Sequence, residues 1–164
     1  MDNSSPIDTT MIVDTILEPQ QPICATVVNN IVTDTIPFYV SVNDGANVYY
    51  INVQINSIPM MAMFDTGCST FSMSTIEYQF LKKHGYINNE NIVSTNKAII
   101  ANGDTVNVYN VVVDEVVVGT DTIKDVETSV FDNPNAPLLI GQGVLSKLGD
   151  LTISYKNGCL IIHK

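Results

Sequence analysis

The feature that most constrains this chain is a dense series of short Val-, Ile- and Thr-rich runs, each cut off by a turn signal. Residues 48–55 alternate, so that Tyr49, Ile51, Val53 and Ile55 share one face. β-Branched side chains suit a pleated, half-buried surface. Further runs are predicted as strands at 36–42, 60–64, 70–74, 111–118, 122–130, 138–140, 151–155 and 159–163, with two more within 95–113. Asn43-Asp44-Gly45, Gly119-Thr120-Asp121 and Lys156-Asn157-Gly158 mark turns between them. Asn102-Gly103 between two strand-like runs is a strong hairpin signal. A helix is predicted over 75–84, capped by Thr75, with Ile76, Phe80 and Leu81 on its apolar side and Gly85 past its end. A short helical turn is expected over 144–148. The chain therefore reads as all-β with one or two short helices, closed into a barrel or sandwich.

Residues 1–35 differ in texture. They mix Thr, Asp, Asn and Pro with isolated apolar triplets, and Pro6, Pro19 and Pro22 punctuate them. They read as an arm or linker, with an added edge strand around 25–28 as an option. A single globular domain over 36–164 follows.

Composition removes several classes of function. The net charge is −10 with only 7 Lys+Arg, and Lys82-Lys83 is the sole basic pair. Nucleic-acid binding runs on cations that displace condensed counterions, so no nucleic-acid partner is expected, nor an anionic membrane. No stretch reaches the roughly 18–20 apolar residues of a membrane span. The N-terminus lacks the basic and apolar regions of a signal peptide, so the chain is read as cytoplasmic or as exported with its leader removed. Cys24, Cys68 and Cys159 are an odd, widely spaced set, against a disulfide framework and against zinc. His84 and His163 are expected at the surface, and Asp114, Glu115, Asp121, Asp125 and Glu127 as a solvated face. No metal and no cofactor is expected.

The residues that carry chemistry stand in Met63-Phe64-Asp65-Thr66-Gly67-Cys68-Ser69. An ionisable side chain follows an apolar strand directly, which puts the carboxylate at the edge of the core. Thr66 can hydrogen-bond locally, and Gly67 permits backbone shapes closed to other residues. A bare Asp-Thr-Gly occurs often by chance as a capped turn, so its context matters. Here it lies between two strand-like runs and is followed by a helix. Well downstream, a second apolar run, Leu138-Leu139-Ile140, ends in Gly141 with another short helix after it.

In these blocks the chain resembles the retropepsin-like aspartic protease family, the single-domain relatives of pepsin. The matching pieces are YYINVQINSIPMMAMFDTGCSTFSMS, KAIIANGDTVNVYNVVV and LLIGQGVLSKLGDLTISYKNGCLII, spread over 36–164. The resemblance implies an aspartic endopeptidase that acts on peptide or protein substrates as a homodimer. Asp65 is then the catalytic aspartate, and Thr66 and Gly67 complete the active-site loop. Ala101, Asn102 and Gly103 match the tip of the flap that closes over substrate. Leu139, Ile140 and Gly141 match the element that supports the loop from below, and the strand at 159–163 is expected in the dimer interface. Cys68 departs from the family, where Ala is commoner, and the flap tip lacks the several glycines of the retroviral type.

Three other readings compete. Aspartyl phosphotransferases also place Asp after an apolar strand, but they carry D-x-D-x-T or D-K-T-G and need alternating helices and parallel strands. A catalytically inactive module of the same fold would use the dimer and groove for peptide binding or dimerisation only. A β-sandwich adhesion domain would suit the acidic surface, and monomeric behaviour would favour it.

Overall fold

The computed structural model describes residues 33–43, 46–88 and 92–164. The option of a strand at 25–28 lies outside these residues. The described part holds eleven strands and two short helices. An eight-stranded sheet is built from β2 (Tyr39–Asn43), β3 (Ala46–Ile55), β4 (Ile58–Phe64), β5 (Phe71–Ser74), β6 (Ile92–Ile99), β7 (Thr105–Val118), β8 (Asp121–Phe131) and β9 (Leu139–Ile140). A smaller sheet of three strands comes from β1 (Thr33–Pro37), β10 (Asp150–Ser154) and β11 (Cys159–His163). No helix among the described residues is long and apolar enough to cross a membrane.

The alternation in β3 works as the sequence dictates: Ile51, Val53 and Ile55 are buried, and the residues between them face out. Asn56 and Ser57 both take positive φ, as a two-residue hairpin turn requires, and pair Ile55 with Ile58. That turn docks on β7. Asn56 N–H donates to the Glu115 carbonyl at 3.0 Å, and Glu115 N–H donates to Asn56 Oδ1 at 3.0 Å. Gln54 and Ile55 then pair with Val117 and Val116, so β3 meets β7 and the large sheet closes on itself. The pairing covers the stretch of β3 beyond β2 and of β7 beyond β6, while β2 and β6 stay at the ends of the sheet.

The large sheet runs in the order β2-β3-β4-β9-β5-β8-β7-β6. The two-residue β9 is therefore inserted between β4, to which it is parallel, and β5, to which it is antiparallel. β5 is buried at every position. Phe71, Met73, Ile140 and Leu81 pack with the β3 and β7 aliphatics as one core.

Four local expectations change. The predicted strand over 36–42 is two strands, broken at Phe38, so that the chain can leave the small sheet for the large one. The runs predicted separately within 95–113 and 111–118 merge into a single β7 of 14 residues. The helix α1 (Thr75–Lys83) is capped by Ser74, not Thr75: Ser74 Oγ accepts from the Ile76 and Glu77 N–H groups, and the Glu77 side chain returns to the Ser74 N–H as a capping box. Its buried residues are Tyr78 and Leu81, whereas Ile76 and Phe80 are 57% and 44% exposed. Tyr78 meets the Tyr109 ring edge-on at 5.3 Å, which turns that side inward, and Phe80 stacks on His84 instead. The helical turn α2 (Gln142–Leu145) starts two residues earlier than predicted.

Candidate active site

β4 and β5 flank β9, so the six residues joining them must cross over the C-terminal end of β9. Asp65 to Thr70 make that crossing. The Met63 and Asp65 N–H groups donate to the Leu138 and Ile140 carbonyls at 2.8 and 3.2 Å, which carries the β4 pairing into the loop. A Cβ on Gly141 would lie 2.3 Å from both the Cys68 and Thr70 carbonyl oxygens, so only glycine lets the loop sit this low. Gln142 then holds it: its N–H donates to the Cys68 carbonyl at 2.8 Å, and its side-chain amide donates to the Thr66 carbonyl at 3.1 Å. The residue after Gly141 was not singled out from the sequence. Its signal was a polar amide opening a helix directly after an apolar pair and a glycine.

Within the loop the Asp65 carboxylate is half-buried, and its Oδ1 accepts the Gly67 N–H at 2.8 Å. Cys68 N–H returns to the Asp65 carbonyl at 3.3 Å, and Cys68 Sγ sits 3.3 Å from the Thr70 carbonyl. Thr66 is exposed. Asp65, Thr66, Gly67, Leu139, Ile140 and Gly141 thus form one contiguous unit, with Met63 opposite Leu139 and Phe64 opposite Ile140.

Ala101, Asn102 and Gly103 lie elsewhere, at the tip of the β6–β7 hairpin. Ile100 N–H donates to the Asp104 carbonyl at 2.9 Å, and Gly103 takes φ +88°. Asn102 Oδ1 accepts the Asp104 N–H at 2.9 Å. The hairpin projects, because β8 pairs with β7 only from Val108 onward; before it Thr105 to Asn107 pair with β6, and the Asp132 N–H reaches the Asn107 carbonyl at 3.4 Å.

A cavity of about 280 Å³ lies between the stem of the hairpin and Leu139, with Asp65 outside its wall. Ile100 and Val106 wall it from the hairpin, and Ser72 and Leu139 from beneath the loop. Phe131 and Pro137 close the far side, with Asp132, Asn133 and Asn135 beside them. The wall is mostly apolar. The Ser72 hydroxyl is fully buried and has no hydrogen-bond partner among the described residues. In the sequence the segment from Phe131 to Pro137 carries no chemical motif, only Pro134 and Pro137 as marks of a loop.

The strand at 159–163 does not lie at an edge. β11 is the central strand of the small sheet, paired with β1 on one side and β10 on the other. Its backbone groups are therefore paired within the chain. The open edges of that sheet among the described residues belong to β1 and β10.

Comparison with known proteins agrees with this architecture. A family described as "gag-polyprotein putative aspartyl protease" matches residues 51–147, more than half of the chain. Among solved structures, the fold is similar to a retropepsin-like aspartic protease from Rickettsia conorii, at 20% identity and a TM-score of 0.56, over 83% of this chain and 96% of that one. It is also similar to the EIAV protease complexed with the inhibitor HBY-793, at 22% identity and a TM-score of 0.51, over 68% of this chain and 98% of that one. No curated protein matches the chain. With Asp-Thr-Gly on a loop laid over an inserted β9 and a family match across that loop, the chain belongs to the retropepsin-like aspartic proteases.

Proposed function

We propose that the protein is an aspartic endopeptidase that works as a homodimer, each copy supplying one Asp65. The observation that carries this reading is the half-buried Asp65 carboxylate. It is oriented by the Gly67 N–H on a loop fixed from below by Ile140, Gly141 and Gln142. Peptide hydrolysis by carboxylates takes two of them: one accepts a proton from the attacking water, and the other donates one to the leaving amide nitrogen. Two such groups about 3 Å apart share a single proton, because like charges at that distance do not both ionise. The chain holds only one Asp-Thr-Gly and no Asp-Ser-Gly, so the second carboxylate comes from a second copy. A two-fold axis beside Asp65 provides it without further design.

The other parts take roles that fit their geometry. The β6–β7 hairpin is the flap, with Ala101, Asn102 and Gly103 at its tip, and it lies over an extended peptide and excludes water. The apolar cavity below Ile100 and Val106 receives a substrate side chain. Thr66, exposed on the loop, faces its symmetry mate. The open β10 edge continues the small sheet into the partner, a place that β11 cannot take.

The test is Asp65→Asn. It removes the carboxylate at nearly constant shape, so the variant folds and dimerises as the parent does. Its peptidase activity on a peptide library falls by about a thousandfold or more, as expected when a general acid–base group is lost. Undiminished cleavage would refute the assignment.

A further inference from the structure

A line of hydroxyl and amide groups runs from the end of the Asp65 loop into the stem of the β6–β7 hairpin. Thr70 Oγ1 donates to Ser129 Oγ at 3.3 Å, and Ser129 Oγ donates to Asn110 Oδ1 at 3.2 Å. Asn110 Nδ2 then donates to Ser94 Oγ at 3.2 Å and to Glu127 Oε1 at 3.1 Å. The donors run from the loop to Asn110, whose amide then gives one hydrogen to Ser94 of β6 and one to Glu127 of β8, and Ser94 Oγ also accepts from Asn96 Nδ2 at 3.0 Å. Ser129 is buried, and Asn110 stands directly between Ser94 of β6 and Ser129 of β8 in the sheet register.

The position matters more than the chemistry of any single bond. From Val108 to Val111 β7 is held on both sides, by β6 and by β8, and before Val108 its ladder partner is β6, with a single bond from the Asp132 N–H to the Asn107 carbonyl at 3.4 Å beside it. Asn110 is therefore near the root of a lever whose free end is the hairpin tip. A small change in angle at the root becomes a larger displacement at the tip. An amide at this point in a Val-rich strand, tied to the loop that carries Asp65, fixes the stem against that loop. A cross-strand pair serving stability alone would have no need of the link through Ser129 to Thr70.

We propose that Asn110 is a positioning residue that couples the hairpin to the Asp65 loop, setting how the tip closes over bound peptide. This rests on the peptidase reading, but its test does not depend on activity alone. Amide hydrogen exchange over residues 97–107 is measured in the parent, Asn110→Leu, Thr70→Val and Thr70→Ser proteins. Asn110→Leu and Thr70→Val each speed exchange of the hairpin about five- to tenfold, the effect of one net hydrogen bond, and Thr70→Ser, which keeps the hydroxyl, does not. The double variant exchanges no faster than Asn110→Leu alone, because both changes break one chain. With a cleaved peptide, Asn110→Leu raises KM by a similar factor while kcat stays within about threefold, since the residue lies outside the Asp65 loop. Hairpin exchange unmoved by Thr70→Val, or additive effects in the double variant, would overturn the proposal. Because Thr70→Val changes only a part-buried side chain outside β7, it remains informative if Asn110→Leu does not fold. If the parent itself cleaves nothing, the peptidase reading fails while the exchange result still judges the coupling.

Discussion

The Asp65 loop and the hairpin tip are both short, irregular segments between strands, yet they are held in opposite ways. The loop is tied to other elements: Asp65 to Ile140, Cys68 and Thr66 to Gln142, and the whole crossing rests on Gly141. The tip is tied only to itself, through Ile100, Asn102, Gly103 and Asp104. Ile99 beside it is 79% exposed, and nothing lies within 4 Å of where a Gly103 Cβ would be. A carboxylate that must meet a symmetry mate needs fixed geometry, and a cover that admits a peptide needs freedom. One sheet supplies both by inserting a strand under one segment and letting the other run past its neighbours.

Substitutions can break this contrast. Gly141→Ala forces a Cβ into two backbone carbonyls that have no room to move, so the loop must lift; the cost is expected at about 3 kcal/mol or more, enough to lower the population of folded protein. Phe71→Ala, beneath the same loop and fully buried, is expected to cost about 3–5 kcal/mol in denaturant unfolding. Gly103→Ala meets no atom and is strained only by its φ of +88°, so it should cost about 1 kcal/mol and lower the unfolding midpoint far less than Gly141→Ala does. If Gly103→Ala proved as damaging as Gly141→Ala, the tip would not be the free end described.

Asp34 sharpens the picture at the other end of the molecule. Burial pushes its carboxyl up. Hydrogen bonds from the Thr120 N–H and Oγ1 and from the Thr35 N–H, with Lys164 nearby, outweigh burial and hold it below its ordinary value. A depressed carboxyl stabilises the fold at pH above the unfolded value, and that stability is lost as pH falls through the lower folded value. Asp34 therefore clamps β1 onto the β7–β8 turn at neutral pH and releases it in acid. Asp34→Asn should lower the melting temperature by a few degrees at pH 7 and less at pH 3, a smaller effect than either loop substitution.

Much of this was written locally in the chain. Asp-Thr-Gly after an apolar run, Asn-Gly between β-formers and Leu-Ile-Gly before a helix each state their own backbone conformation. What the sequence withheld depends on partners far along the chain. Ile76 and Phe80 make as good an apolar stripe as Tyr78 and Leu81, and only the Tyr109 ring decides which turns inward. The two runs around residue 111 look separable until β8 pairs along both and keeps them one strand. Cys159–His163 reads as a strand beside 151–155, but only the fold shows that β1 takes its other side. Asn110 carries no local signature and Gln142 only its place after Gly141, because each acts through groups that the fold brings to it.

The central claim is that one working site takes two chains and two copies of Asp65. Titration of the purified protein with a statine-type transition-state mimic, read by calorimetry, measures it directly. The account predicts saturation at one inhibitor per two chains, and no binding to Asp65→Asn. One inhibitor per chain, or equal binding to the variant, would contradict it.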